Sequence, residues 1–345
     1  MTTVETTSAR PVSEVLAWSR AAIDPALRAA VGTLPASMGH LAGYHLGWWD
    51  SHGVPTGSAG GKAIRPTLVL LAAEATGGSQ GAAVPAAAAV ELVHNFSLLH
   101  DDVMDRDVTR RGRPTVWAVF GSAEAILAGD ALLALAFDVL AASGHAAVPE
   151  GIRMLSAAVL DLVDGQHADV AFEARAQVDV SECVAMTEKK TGALLGCATA
   201  LGATVAGAHP DQVTRLRDFG ECLGVAFQHV DDLLGIWGDP VITGKPAYAD
   251  LHRRKKTLPV VAALASDSAV RSELATLYHS EQPLSAAELA RAADLVERAG
   301  GRTWSQVQAA DLLATALGHL DAAGLVARPG AELAVLADLV IHRDY

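Results

Sequence analysis

Asp101, Asp102 and Asp105 stand together in His100-Asp-Asp-Val-Met-Asp105, at the end of the apolar run Ala86 to Leu99. Residues four apart share a helix face, so Asp101 and Asp105 are expected to point the same way with Asp102 beside them. Three carboxylates this close repel one another, and a helix C-terminus is the unfavourable pole for negative charge. Mg²⁺ answers both problems, because it takes hard oxygen ligands and shares them with phosphates. Taken alone, the cluster also fits a solvated acidic helix end. A second cluster changes the balance: Gln228-His-Val-Asp231-Asp232 closes another long apolar run. Two Asp-Asp pairs on two apolar helices, facing each other across a bundle, would form a carboxylate-lined mouth for several Mg²⁺ ions. A diphosphate held there by metal bridges would leave with electrostatic assistance.

The basic residues fall in matching places. Lys62 and Arg65 lie in Gly60-Gly61-Lys62-Ala-Ile-Arg65-Pro66, at an expected helix start where backbone N–H groups also favour anions. Arg110, Arg111 and Arg113 follow the first Asp cluster, Lys189 and Lys190 precede Thr191-Gly192, and Lys245, Lys255 and Lys256 follow the second cluster. Each short motif is weak by itself; their joint placement around two Asp clusters is not. No Ser/His/Asp or Cys/His arrangement suggests an enzyme nucleophile.

The elements that must position these residues read as helices. Half of the 345 residues are hydrophobic (51%), 19% are charged and 5% aromatic, with alanine dominating the apolar stretches. That composition supports a large buried core and leans towards helix. Helical periodicity is expected over 15–31, 66–76, 85–104, 121–142, 150–174, 182–208 and 211–237. Beyond Pro259 it continues over 259–266, 271–279, 285–298, 303–323 and 330–341. Gly53 to Gly61 reads as a loop, and strand-like alternation is nowhere sustained. The expectation is an all-α, single large helical bundle with a central substrate cavity over 14–345, after a mobile tail, 1–13. The net charge of −13 argues against a nucleic-acid partner. Three scattered cysteines and a polar N-terminus suggest a reducing, cytoplasmic setting. Thr191 to Ala208 carries no charged side chain, but its Gly, Ala and Thr content fits a closely packed buried helix rather than a transmembrane segment.

In these motifs the sequence resembles the trans-isoprenyl diphosphate synthases (polyprenyl synthetases), from about Gly60 to Pro259. Asp101-Asp102-Val-Met-Asp105 is similar to the family's first aspartate-rich motif and Asp231-Asp232 to its second. Gly129-Asp130, Gly165-Gln166 with Asp169, Lys190-Thr191-Gly192, Gly244-Lys245, Asp250-Leu251 and Lys255-Lys256-Thr257-Leu-Pro259 also fit. The resemblance implies that Lys62, Arg65, His94 and Arg111 bind the diphosphate of isopentenyl diphosphate. Asp101 and Asp105 would hold two Mg²⁺ ions and Asp231 a third, with Asp102 and Asp232 supporting them. Arg110, Lys190, Lys245 and Lys255 would neutralise the allylic diphosphate, and Thr191 and Gln228 would line the reaction centre. The implied chemistry is ionisation, condensation and elimination, carried out by a homodimer.

The sequence departs from the family pattern at three places. Gly235 stands where the second motif usually has a third Asp, with Asp239 seven residues after Asp232 as a possible replacement. Tyr248 and Arg254 stand where the family commonly has glycine. Product length is read from the helix leading into Asp101. Phe96 lies five residues before it, about 7.5 Å along the axis, and Ser97 lies four before it. That pattern resembles one class of geranylgeranyl diphosphate synthases, with farnesyl diphosphate as the second choice. A class I terpene cyclase shares the fold and the metal chemistry but needs no second diphosphate site, which Lys62, Arg65 and Arg111 would supply. A non-catalytic partner subunit can lose its aspartates, whereas this chain keeps five of the usual six.

Overall fold

The computed structural model describes residues 9–57, 61, 63–240, 246–280 and 282–341. Lys62, Lys245 and the first eight residues of the expected tail lie outside these. The described chain is all-α apart from one small hairpin. Its helices are α1 (Val12–Val31), α2 (Ala36–His45), α3 (Ile64–Ala75), α4 (Gln80–Met104), α5 (Val116–Phe120), α6 (Ser122–Ala142) and α7 (Val148–Glu173). A continuous run follows: α8 (Val180–Thr187), a π-helical turn (Glu188–Gly192) and α9 (Ala193–Val205). Then come α10 (Pro210–Trp237), α11 (Ala249–His252), α12 (Leu258–Ala265), α13 (Arg271–His279), α14 (Ala286–Arg298), α15 (Gly301–Ala322) and α16 (Ala327–Ile341).

Local signals account for several helix starts. Ser79 caps α4 by accepting from the Ala82 N–H, so the helix begins before Pro85, which its early turns tolerate. Glu182 accepts from the Asp179 N–H at the start of α8, and Glu288 from the Ser285 N–H at the start of α14. The short helices α2, α5 and α11 escaped the sequence reading, as did the hairpin β1 (Thr109–Arg110) with β2 (Arg113–Pro114). The hairpin is closed by Arg111-Gly112, both with positive φ (53° and 72°), the geometry of a two-residue turn. The chain is anchored before residue 13: α1 starts at Val12, and the Arg10 guanidinium forms a two-pronged ion pair with the buried Glu332.

The contacts group into two compact units. The first comprises Met1–Val159, Leu194–Asp218 and His319–Leu336. At its centre lies α4, packed chiefly against α6, α3 and α1. Ala86 to Ala89 of α4 are all buried, and small side chains there permit close helix approach. Gly202 of α9 serves the same purpose, because a β-carbon there would stand 2.2 Å from the Val69 carbonyl of α3. The second unit comprises Leu160–Ala193, Phe219–Gly318 and Ala337–Tyr345. It holds a core around Ile236, Leu251, Val260, Leu274 and Leu295 and a smaller one around Phe172, Cys183 and Met186.

Most of the uncharged stretch Thr191 to Ala208 lies in α9, where Leu194 to Ala203 and Val205 are buried. Two other helices, α4 and α6, are long and apolar enough to cross a membrane. Of the more apolar part of α4, 72% is buried inside the protein; for α6 the figure is 39%.

Candidate active site

In the first unit, α4 carries two polar groups about two turns apart. At its C-terminal end Asp102 is 1% exposed, while Asp101 and Asp105 are partly exposed. The hairpin returns Arg110 to Asp102, its Nε donating to Oδ1 at 2.7 Å. Burial pushes the Asp102 carboxyl up to about 6, against the pull of Arg110, and its Oδ2 has no hydrogen-bond partner among the described residues. Arg110, expected on the allylic diphosphate, is thus tied in this structure to the supporting carboxylate. Asp107 anchors the hairpin through its carbonyl, which accepts from Thr115 Oγ1 and Trp117 Nε1, each at 2.8 Å.

Further back along α4, His94 Nε2 lies 3.2 Å from Arg65 Nη1 of α3. A guanidinium only donates, so the imidazole accepts and is neutral. Burial first, then the positive charge of Arg65, holds His94 well below its ordinary pKa. Glu91, one turn earlier, is buried and accepts from Asn95 Nδ2 at 3.0 Å. Burial raises its carboxyl, and Arg65 and Arg111 pull it down. A single acid within an apolar helix, three residues before His94, was its signal in the sequence. His45, from the unforeseen α2, is neutral as well, pushed down to about 3 by burial and by Arg111. Phe96 is buried and meets the His100 ring edge-on at 4.9 Å between centroids. Ser97 Oγ donates to the His94 carbonyl.

In the second unit the π-helical turn brings Lys190 and Thr191 to α7 and α10. Lys190 Nζ donates to Asp169 Oδ2 at 2.6 Å, and Lys255 Nζ lies 3.4 Å from the same oxygen. Burial raises the Asp169 carboxyl, but the two lysines outweigh it and leave it below its ordinary value. Thr191 Oγ1 donates to Gln228 Oε1 (2.9 Å), and Gln228 Nε2 donates to Asp232 Oδ1 (2.8 Å). The Leu258 N–H donates to Asp232 Oδ2 (2.9 Å). Asp232 is buried, with both oxygens engaged. Burial and the neighbouring Asp250 push it up to about 7. Asp231 is more exposed.

The departures from the family pattern acquire physical reasons. Tyr248 and Arg254 have φ of 60° and 52°, the left-handed region that glycine occupies without strain. Gly235 is packed against Asp250: a β-carbon at 235 would lie 1.9 Å from Asp250 Oδ2. A carboxylate from another segment thus fills the space of the absent third Asp. Asp239 does not take that place, since α10 ends at Trp237 and Asp239 is exposed beyond it.

Among the described residues no three His, Cys, Asp or Glu side chains converge into a ready-made metal cage. Asp101 and Asp105 in the first unit are nevertheless partly exposed, as is Asp231 in the second, and carboxylates of this kind are hard oxygen donors of the type that suits Mg²⁺.

Residues 55–296 match the family described as Polyprenyl synthetase. Two Mycobacterium tuberculosis proteins are each 46% identical to this chain, over 333 and 331 residues. Each alignment covers 96% of this chain and 93% of the other. One is named (2E,6E)-farnesyl diphosphate synthase and the other geranylgeranyl diphosphate synthase. A polyprenyl synthetase from Streptomyces coelicolor A3(2) superimposes with a TM-score of 0.92 at 46% identity, covering 96% of this chain and all of that one. A polyprenyl synthase from Caulobacter crescentus CB15, complexed with calcium and isoprenyl diphosphate, superimposes with 0.84 at 27% identity, covering 98% and 99%. The chain belongs to the polyprenyl synthetase family, the trans-prenyl diphosphate synthases, and is an enzyme of the prenyltransferase class.

Proposed function

We propose that this enzyme condenses isopentenyl diphosphate with an allylic diphosphate in an Mg²⁺-dependent reaction whose main product is geranylgeranyl diphosphate. The observation that carries this reading is the pair of polar groups on α4. A cationic group, Arg65 with neutral His94 and Arg111 nearby, sits beside the acidic end at Asp101 and Asp105. The first suits a diphosphate bound directly and the second a diphosphate bound through metal. A terpene cyclase needs only the second.

In this reading Lys62, Arg65, His94 and Arg111 hold isopentenyl diphosphate, while Asp101, Asp105 and Asp231 hold Mg²⁺. When bound, the metal neutralises the charge that develops on the departing allylic diphosphate. Lys190, Lys245, Lys255 and Arg110 add positive charge at the same diphosphate. Asp169 keeps Lys190 and Lys255 in place before substrate arrives, so little reorganisation is needed as charge develops. Thr191 and Gln228, fixed by Asp232, present oxygen atoms to the allylic cation. The isopentenyl double bond attacks that cation, and a proton then passes to the departed diphosphate, which completes the product. Phe96, held against His100, forms the floor that stops chain growth.

The two Mycobacterium tuberculosis relatives carry different product names, so farnesyl diphosphate is the second reading. A homodimer is the proposed assembly: α6 is strongly apolar, and Ile126 and Leu127 on it are exposed.

The deciding assay combines purified protein, Mg²⁺, labelled isopentenyl diphosphate and dimethylallyl, geranyl or farnesyl diphosphate in turn, with products resolved by chain length. C20 product that disappears with EDTA and returns with Mg²⁺ is expected. Activity that survives EDTA, or consumption of allylic substrate without isopentenyl diphosphate, would overturn the reading.

A further inference from the structure

One arginine of the run after the first aspartate cluster has no part in the proposed reaction. Arg113 stands on β2 directly opposite Arg110 of β1. Like charges opposed across a strand pair are unfavourable, and the two guanidinium groups go to different partners. Arg110 donates to Asp102 of α4. Arg113 turns to α2 and the segment after it. Its Nη1 donates to the Tyr44 carbonyl at 3.2 Å and its Nη2 to the Trp49 carbonyl at 2.8 Å. The same guanidinium lies over the Tyr44 ring, 4.7 Å from its centroid. Tyr44 closes the contact from its own side, its hydroxyl donating to the Pro114 carbonyl at 2.8 Å.

The strands β1 and β2 have two residues each, too few to hold a fixed orientation by themselves. The surface that Arg113 grips is firmer. Tyr44 is buried in the last turn of α2, and the carbonyl end of a helix favours a cation. Trp49 is fastened to the same helix: its Nε1 donates to the His40 carbonyl at 2.9 Å, and its ring fills the space over Gly43, where a β-carbon would lie 2.0 Å away. Asp50, which feels the charge of Arg113, accepts from the N–H groups of His52 and Val54 and so closes the turn beyond Trp49. Arg110 and Arg111 are consecutive, so a tilt of the hairpin carries both. They act at different parts of α4. Arg110 meets Asp102, while the charge of Arg111 reaches Glu91 and His94 further back.

We propose that Arg113 is a positioning residue for both diphosphate sites, docking the hairpin on α2 and so setting Arg110 and Arg111 together. Arg113 is not itself a diphosphate ligand; it acts through its two neighbours. The inference rests on the reading that Arg110 serves the allylic diphosphate and Arg111 isopentenyl diphosphate, and its test keeps the two apart.

The experiment compares the wild type with Arg113→Ala, Arg113→Lys, Arg111→Ala and the double variant Arg111→Ala/Arg113→Ala in the full-length enzyme. KM and kcat are measured with each substrate varied in turn. Binding of isopentenyl diphosphate alone is measured by titration calorimetry, and Tm by thermal unfolding. Losing hydrogen bonds from a charged group supports an expected rise of about tenfold in the KM for each substrate in Arg113→Ala, with a matching rise in Kd for isopentenyl diphosphate. Arg113→Lys, which still offers a donor to one carbonyl, should recover part of both losses. In the Arg111→Ala background, adding Arg113→Ala should leave isopentenyl diphosphate affinity within about twofold and still raise the allylic KM about tenfold, because residues that act as a unit are not additive. Should Arg113→Ala not fold, Arg113→Met keeps the apolar stem, removes the donors and carries the same expectations. A lowered Tm with both KM values unchanged, no recovery with lysine, or losses of isopentenyl diphosphate affinity that multiply in the double variant would each overturn the proposal. If Arg111→Ala leaves isopentenyl diphosphate binding intact, the site assignment fails and the proposal with it. If Arg111→Ala weakens binding and Arg113→Ala does not, only the role of Arg113 falls.

Discussion

At the scale of single residues, the most informative position is a missing one. The second aspartate cluster lacks the usual carboxylate at Gly235, and Asp250 fills that space. Restoring the family's residue is therefore expected to harm this enzyme. Gly235→Asp forces a side chain onto a carboxylate and adds a like charge, an overpacking of about 1–3 kcal/mol before the repulsion is counted. Thermal unfolding should show a lowered Tm together with lost turnover, and Gly235→Asp combined with Asp250→Ala should recover part of the Tm. A single variant as stable as wild type would mean that Asp250 is free to move aside. Phe96 supports a second residue-scale prediction. Its ring is buried against His100, and overpacking of the size given above suffices to favour release over another condensation. Phe96→Ala should lengthen the product by at least one isoprene unit, and Ser97→Phe should shorten it towards farnesyl, both read by chain-length analysis. If neither changes the distribution, α4 is not the ruler.

At the scale of elements, the π-helical turn at Glu188–Gly192 is a local deviation in an otherwise regular helix, and such turns recur at functional sites. Small residues make room for it. A β-carbon at Gly165 of α7 would lie 2.4 Å from the Lys190 backbone nitrogen, and one at Gly224 of α10 would lie 2.7 Å from the Gly192 α-carbon. Backbone cannot swing away as the end of a side chain can. Gly165→Ala should accordingly displace Lys190 and Thr191 together and reduce kcat by at least about tenfold with the helical content retained. Circular dichroism and steady-state kinetics check this, and wild-type kcat in the folded variant would show that the turn tolerates the shift. The periodicity of α7, α8–α9 and α10 was legible in the sequence, but the π turn was not. It follows from three helices pressing together at glycines, not from any preference of Glu188 to Gly192.

At the scale of the whole molecule, several histidines are held neutral. His45 is pushed down to about 3 and His229 to about 4, burial being the first cause in each, and His94 shifts the same way. A histidine whose folded pKa lies below its unfolded value near 6.5 contributes stability at neutral pH that is lost as pH falls from there towards the folded pKa. Each such group lowers stability by up to about 1.4 kcal/mol per pH unit in that window. Asp102 and Asp232, raised to about 6 and 7, act in the opposite sense: folding takes up protons between about pH 4 and those values. The histidine contribution can be isolated with His45→Gln, which should flatten the fall in stability between pH 6.5 and 4. Urea unfolding across that range checks it, and an unchanged slope would show that His45 is not charged on unfolding.

The sequence by itself determined the helical class, most helix spans and the identities of the charged residues. Those features depend on residue type and on spacing along one chain, as with Asp101 and Asp105 one helical turn apart. Tertiary structure decided what each charge meets. It set Arg110 on Asp102, placed Lys190 and Lys255 on Asp169, and brought Asp250 to Gly235. It also drew Arg20 of α1 to the Gly61 carbonyl and placed α2, with its half-buried His45, beside the arginines of the hairpin. These pairings join segments whose separation along the chain carries no periodic signal. They are fixed by packing and by the cost of burying a charge without a partner, which only the folded chain imposes.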